Sequence, residues 1–178
     1  VIGTSSVRRA AFARSHRQDL VIKLLRGNVE TRIQKLEDGH FDAIILAKAG
    51  LDRLKIRGGN IIPTELMPPA ATQGVIAIQS TTNKNNEFEK ELNNYLLTIN
   101  DKKTYFETLA ERSLLKTLDG SCRSPISASA HVIENDHLKL YGAIARPDGT
   151  KVVKSEIRGL KKDAILLGKN LGMEIISK

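Results

Sequence analysis

Leu20-Val21-Ile22-Lys23-Leu24-Leu25, followed by Arg26-Gly27-Asn28-Val29-Glu30-Thr31-Arg32-Ile33-Gln34-Lys35-Leu36-Glu37-Asp38-Gly39 and then by Asp42-Ala43-Ile44-Ile45-Leu46-Ala47, is the stretch that decides the fold. Its ends are short aliphatic runs. Its middle puts Val29, Ile33 and Leu36 on one helical face, with Asn28 able to cap the start and Gly39 standing where a left-handed stop is wanted. Strand, helix, strand is a βαβ unit, and such units build a parallel sheet. Upstream, Val1 to Thr4 predicts another strand, and Thr4-Ser5-Ser6 offers capping oxygens to a helix from Val7 to His16.

Downstream, Asn60 to Leu66 reads as extended until Pro68-Pro69 ends it, which predicts a boundary near residue 70. Val75 to Gln79 predicts a buried strand, a polar turn follows, and a helix runs from Glu87 to about Leu97. Asn100-Asp101 opens a second long helix, in which Phe106, Leu109, Ala110, Ser113, Leu114 and Leu118 recur at helical spacing up to Asp119-Gly120. From Ile126 the period becomes two. Glu134-Asn135-Asp136 and Pro147-Asp148-Gly149 signal two hairpins, and a last helix, Lys161 to Ile176, turns Ala164, Leu167, Leu171 and Ile175 to one side. Residues 99–178 are therefore expected to form an α+β unit of helix, three antiparallel strands and helix.

With 178 residues and 40% hydrophobic content the chain can bury a core. No apolar run reaches the roughly 18 residues of a membrane span, and the first residues lack signal-peptide character, so a soluble, cytoplasmic protein is expected. One cysteine makes neither an internal disulfide nor a four-cysteine zinc site, and no metal is expected. The net charge is +8, and residues 1–58 hold twelve Lys/Arg against six Asp/Glu. That third of the chain faces an anion or is simply well solvated.

Position favours the anion. Arg8 and Arg9 fall in the first turn of their helix, where a cation opposes the helix dipole unless something negative binds there. Arg26 and Arg32 repeat the arrangement at the next strand-to-helix junction, and such junctions on one edge of a parallel sheet are where open α/β folds bind ligands. Arginine favours planar, bidentate partners such as carboxylates or phosphates. The alternative is that these arginines lie over the surface or pair with Asp19, Glu30 or Glu37. Nucleic acid is disfavoured, because aromatics make up only 4% and none is interleaved with the basic positions.

Cys122 lies in Asp119-Gly120-Ser121-Cys122-Arg123-Ser124-Pro125, between a helix and a strand. A lone cysteine is commonly a small buried hydrophobe. Here the adjacent Arg123 favours the nucleophilic thiolate. His16, His40, His131 and His137 sit in no recognisable partner motif for a cysteine-histidine pair.

Taken in order, Gly3-Thr4-Ser5-Ser6-Val7-Arg8-Arg9, Leu25 to Arg32, Asp42 to Ala47, Ala49-Gly50-Leu51, Gln73-Gly74 and the Cys122 loop resemble the porphobilinogen deaminase family. The resemblance implies an enzyme (hydroxymethylbilane synthase) that joins four porphobilinogen molecules into hydroxymethylbilane with release of ammonia. It implies a dipyrromethane cofactor tethered by a thioether to Cys122. Ser6, Arg8, Arg9, Arg26 and Arg32 match family positions that bind the acetate and propionate groups of the cofactor and growing polypyrrole chain. The implied fold is a near-complete periplasmic-binding-protein-like α/β domain over 1–70, a segment over 71–98 that returns to another such domain, and the α+β domain over 99–178. Thr72 and Ser121 stand where glycine is usual. The family's catalytic aspartate has no matching motif here and falls upstream of Val1, so no residue of this chain is nominated for it. The chain alone is then expected to be inactive, with the rest of the first domain as a partner and the 75–97 segment short of sheet partners. The rival readings are a non-catalytic anion-binding module and a nucleic-acid binder; neither has a use for Cys122.

Overall fold

The structure is a computed structural model that describes residues 1–81, 86–120 and 124–178. The first unit is a small parallel sheet with the order β2-β1-β3, formed by β1 (Ile2–Gly3), β2 (Ile22–Lys23) and β3 (Ala43–Ile44). Its crossovers are α1 (Val7–His16) and α2 (Val29–Glu37). The strands are shorter than the aliphatic runs predict. The ladder does reach one residue before β2 and one after β1, with Ile2 N donating to Val21 O at 2.8 Å and Thr4 N to Lys23 O at 3.1 Å. Both helix starts form as their capping residues dictate. Ser6 Oγ accepts from Arg9 N, and Asn28 Oδ1 accepts from Thr31 N at 2.8 Å.

A short helix that hydrophobic period does not announce, α3 (Lys48–Arg53), follows β3. Between it and residue 81 there is no strand. The expected extended stretch from Asn60 contains a turn, in which Met67 N returns to Pro63 O at 3.0 Å. The expected strand from Val75 to Gln79 is also absent, because no neighbouring backbone pairs with it among the described residues. Ile76 and Ile78 are 77% and 61% exposed, and α4 (Glu87–Thr98) buries none of its residues.

The second unit meets its expectation closely. It comprises α5 (Lys102–Thr117), the antiparallel strands β4 (Ile126–Val132), β5 (His137–Ala145) and β6 (Val152–Leu160) in that order, a single 3-10 turn (Lys161–Asp163) and α6 (Ala164–Ile176). The period of two sorts β5 between two partners. Leu138 and Leu140 face α5 and α6 in a core with Leu114, Leu167, Leu171 and Ile175. Gly168 lets those two helices meet, since a Cβ there would stand 2.4 Å from the Ala110 carbonyl oxygen. Ala143 and Ala145 point the other way, onto Ala11 and the 1% exposed Phe12 of α1. The sheet is thus sandwiched between its own helices and a helix of the first unit. The β5–β6 turn touches α1 as well. Gly149, at φ +79°, comes so close that a Cβ would lie 2.7 Å from Arg14 Cβ.

β4 is an edge strand, and its outward N–H groups are all taken. Ala128 N donates to Pro69 O at 3.2 Å, Ala130 N to Glu111 Oε1 at 2.7 Å, and Val132 N to Glu107 Oε1 at 2.8 Å. Carboxylates four apart on α5 meet alternate residues of the strand, which blunts an edge otherwise open to pairing.

Candidate functional site

The carboxyl ends of β1 and β3 diverge into α1 and α3, and a cleft of about 740 Å³ opens there. This is the crevice in which open α/β sheets hold ligands. Its walls are apolar, with Ile33, Leu36, Leu51 and Ile62 among them, and its cations are Arg8, Arg9, Lys48 and Arg57. The single acid among the described lining residues, Asp52, is paired with Lys48 at 2.5 Å.

Arg8 and Arg9 enter the cleft because the Ser6 cap fixes where α1 begins. Arg8 is only 6% exposed; its guanidinium donates to the carbonyl of buried Pro68 and, at 3.2 Å, to Gln73 Oε1. Burial, and then the neighbouring Arg9, pushes its pKa down to about 10, which still leaves it cationic at neutral pH. Arg9 donates to Ile45 O at 2.9 Å, and burial followed by the charge of Arg32 lowers its pKa too. Neither forms an ion pair with a carboxylate among the described residues. Two desolvated like charges held side by side on neutral acceptors form a site that gains from an anion.

Of the other expected residues, Ser6 is spent on the cap as an acceptor, leaving its hydroxyl proton to donate. Arg32 folds back onto Gly27 O at 2.8 Å, close enough to Arg9 for its charge to be felt there. Arg26 is exposed and does not line the cleft. Cys122 lies outside the described residues. Ser127, five residues on, donates to the same Pro68 carbonyl as Arg8, at 3.0 Å. Lys48 and Arg57 are the cleft cations that sequence reasoning did not single out, and Gln73 stood in the Gln73-Gly74 motif without a role assigned to it.

The family model for porphobilinogen deaminase, dipyromethane cofactor binding domain, matches residues 1–91, and that for the porphobilinogen deaminase C-terminal domain matches residues 105–177. The chain belongs to the porphobilinogen deaminase family. Its place is in tetrapyrrole biosynthesis, and its cofactor is a dipyrromethane. The first match runs through residue 91, past the boundary expected near residue 70. The cleft fits the group this family binds: guanidinium and ammonium donors suit its carboxylates, and the aliphatic walls suit its pyrrole rings. Among the described residues no cluster of His, Cys, Asp and Glu is placed to hold a metal ion, and no helix is long and apolar enough to cross a membrane.

Proposed function

We propose that this chain supplies the carboxylate-binding cleft and the tethering thiol of hydroxymethylbilane synthase, the deaminating condensation of four porphobilinogen units. The observation that carries the reading is the Arg8–Arg9 pair, the first buried and the second half-buried, which has no acidic partner among the described residues and opens into an apolar-walled cleft. When bound, the dipyrromethane supplies the primer to which the pyrrole units are added. Arg8 and Arg9 hold carboxylates, with Lys48 and Arg57 offering further positive charge as the number of carboxylates grows. Ser6 orders the helix start and donates its hydroxyl proton, Arg32 adds field at Arg9, and Arg26 reaches acidic groups that project beyond the cleft. Cys122 provides the sulfur for the thioether.

Acid assistance of deamination falls to no residue of this sequence. Residues 1–70 form the second domain, 71–98 return to the first, and 99–178 form the third. The exposure of Ile76 and Ile78 and the unburied α4 support that division. Intact-mass analysis of the chain, made together with the rest of the first domain in cells producing porphobilinogen, tests the thioether. A dipyrromethane-sized increment on the wild type and none on Cys122→Ser is expected. No increment on either would sink the tether and leave an anion-binding module.

A further inference from the structure

Glu111 lies outside the main cleft, is 9% exposed, and forms no ion pair among the described residues. Yet both of its oxygens are committed. Oε1 accepts from Ala130 N at 2.7 Å and Oε2 from Thr72 N at 2.6 Å. Capping the strand edge requires only the first bond; Glu107 does as much with one oxygen. The second bond reaches across to the 68–74 turn, where Thr72 has φ 57°, a left-handed conformation that costs a non-glycine residue and needs an external tie. The neighbouring Gln73 uses its side-chain oxygen twice, accepting from Ala70 N and from Arg8 Nη2, both at 3.2 Å. The other end of the turn, the Pro68 carbonyl, takes the second Arg8 bond. Every described hydrogen-bond acceptor of the Arg8 guanidinium therefore belongs to one turn, and that turn is fastened to the C-terminal unit by Glu111, by Ser127 and by the Pro69 carbonyl on β4.

We propose that Glu111 is a positioning residue for Arg8: by clamping the 68–74 turn to α5 and β4, it holds the Pro68 and Gln73 oxygens where they aim the guanidinium into the cleft. It touches neither the bound group nor the cleft and acts through Thr72 and Gln73. The proposal rests on the reading that the cleft takes carboxylates, and it adds that the geometry of the cleft is set from the C-terminal unit.

The test is a double-mutant cycle read by calorimetric titration of the protein with mellitate, a benzene polycarboxylate, at fixed low salt and a temperature where every variant is folded. Arg8→Gln should weaken mellitate binding about tenfold or more, the usual scale for one charged hydrogen-bonding group. Glu111→Gln should weaken it by roughly tenfold with Arg8 present, and by less than about twofold in the Arg8→Gln background, since residues that are not in contact otherwise act additively. A fold defect without coupling would show equal weakening in both backgrounds, and that result overturns the proposal. So does an unchanged affinity in Glu111→Gln when Arg8→Gln weakens binding. If Arg8→Gln itself leaves mellitate affinity unchanged, the cleft reading falls and takes the proposal with it. Glu111→Asp, which keeps the charge but is one methylene too short to span both donors, reads the same coupling if the glutamine variant does not fold.

Discussion

Arg8 and Glu111 are opposite charges, both buried, and they do not meet. Each is satisfied by uncharged backbone and amide groups, so each remains a desolvated charge whose cost the fold bears. For Arg8, an anion in the cleft would offset that cost. For Glu111 it should appear in the pH dependence of stability. Burial raises its pKa above the ordinary 4.5, against the lowering effect of its two backbone donors. A raised folded-state pKa means that the native protein binds the proton more tightly than the unfolded chain does. That contribution is fully present below 4.5 and is lost as pH rises through the folded value. Denaturant titrations across that window should show wild-type stability falling with pH relative to Glu111→Gln. Parallel curves would mean that Glu111 has the same proton affinity folded and unfolded.

At the scale of elements, α1 does two things from adjacent turns of one short helix. Its first turn carries the arginines, and its second carries Phe12 against the outer face of β5. Phe12→Ala should cost about 3–5 kcal/mol, measured by chemical denaturation, as expected when a fully buried ring leaves a cavity between two units. A loss under about 1 kcal/mol would mean that α1 and the sheet are not held together there. The helices, the two hairpins and the α+β order were legible because capping residues, turn residues and hydrophobic period act locally. Thr4 to Arg9 was legible for the same reason, down to the Ser6 cap. The α3 helix was not, since Ala47 makes no side-chain cap and Gly50 interrupts its period. Val75 to Gln79 misled because an aliphatic run reports a preference for burial, whereas a strand also needs a neighbouring backbone. Glu111 was illegible for a third reason: its bond to Thr72 joins residues 39 positions apart. Gln73 stood in a motif, but its bond to Arg8 crosses 65 positions and leaves no local trace.

Over the whole molecule, charge and apolar surface are unevenly spread. The cations gather at one sheet edge, while Ile76, Ile78, Phe88 and Leu97 leave large apolar side chains open to water on 75–98. Such surface favours association. Sedimentation of the chain alone should give a mass that rises with concentration, and Ile76→Lys with Ile78→Lys should suppress the rise; a concentration-independent monomer would count against that segment as an adhesive surface. The sandwiching of β5 has a mechanical side as well. Phe12 sits one helical turn from Arg8, roughly 6 Å along α1. With the ring as a fulcrum, a tilt of about 10° in the C-terminal unit would swing the guanidinium by about 1 Å, a displacement on the scale that matters for catalysis. The cleft's buried arginine would be re-aimed by such small rotations, with α1 as the lever arm.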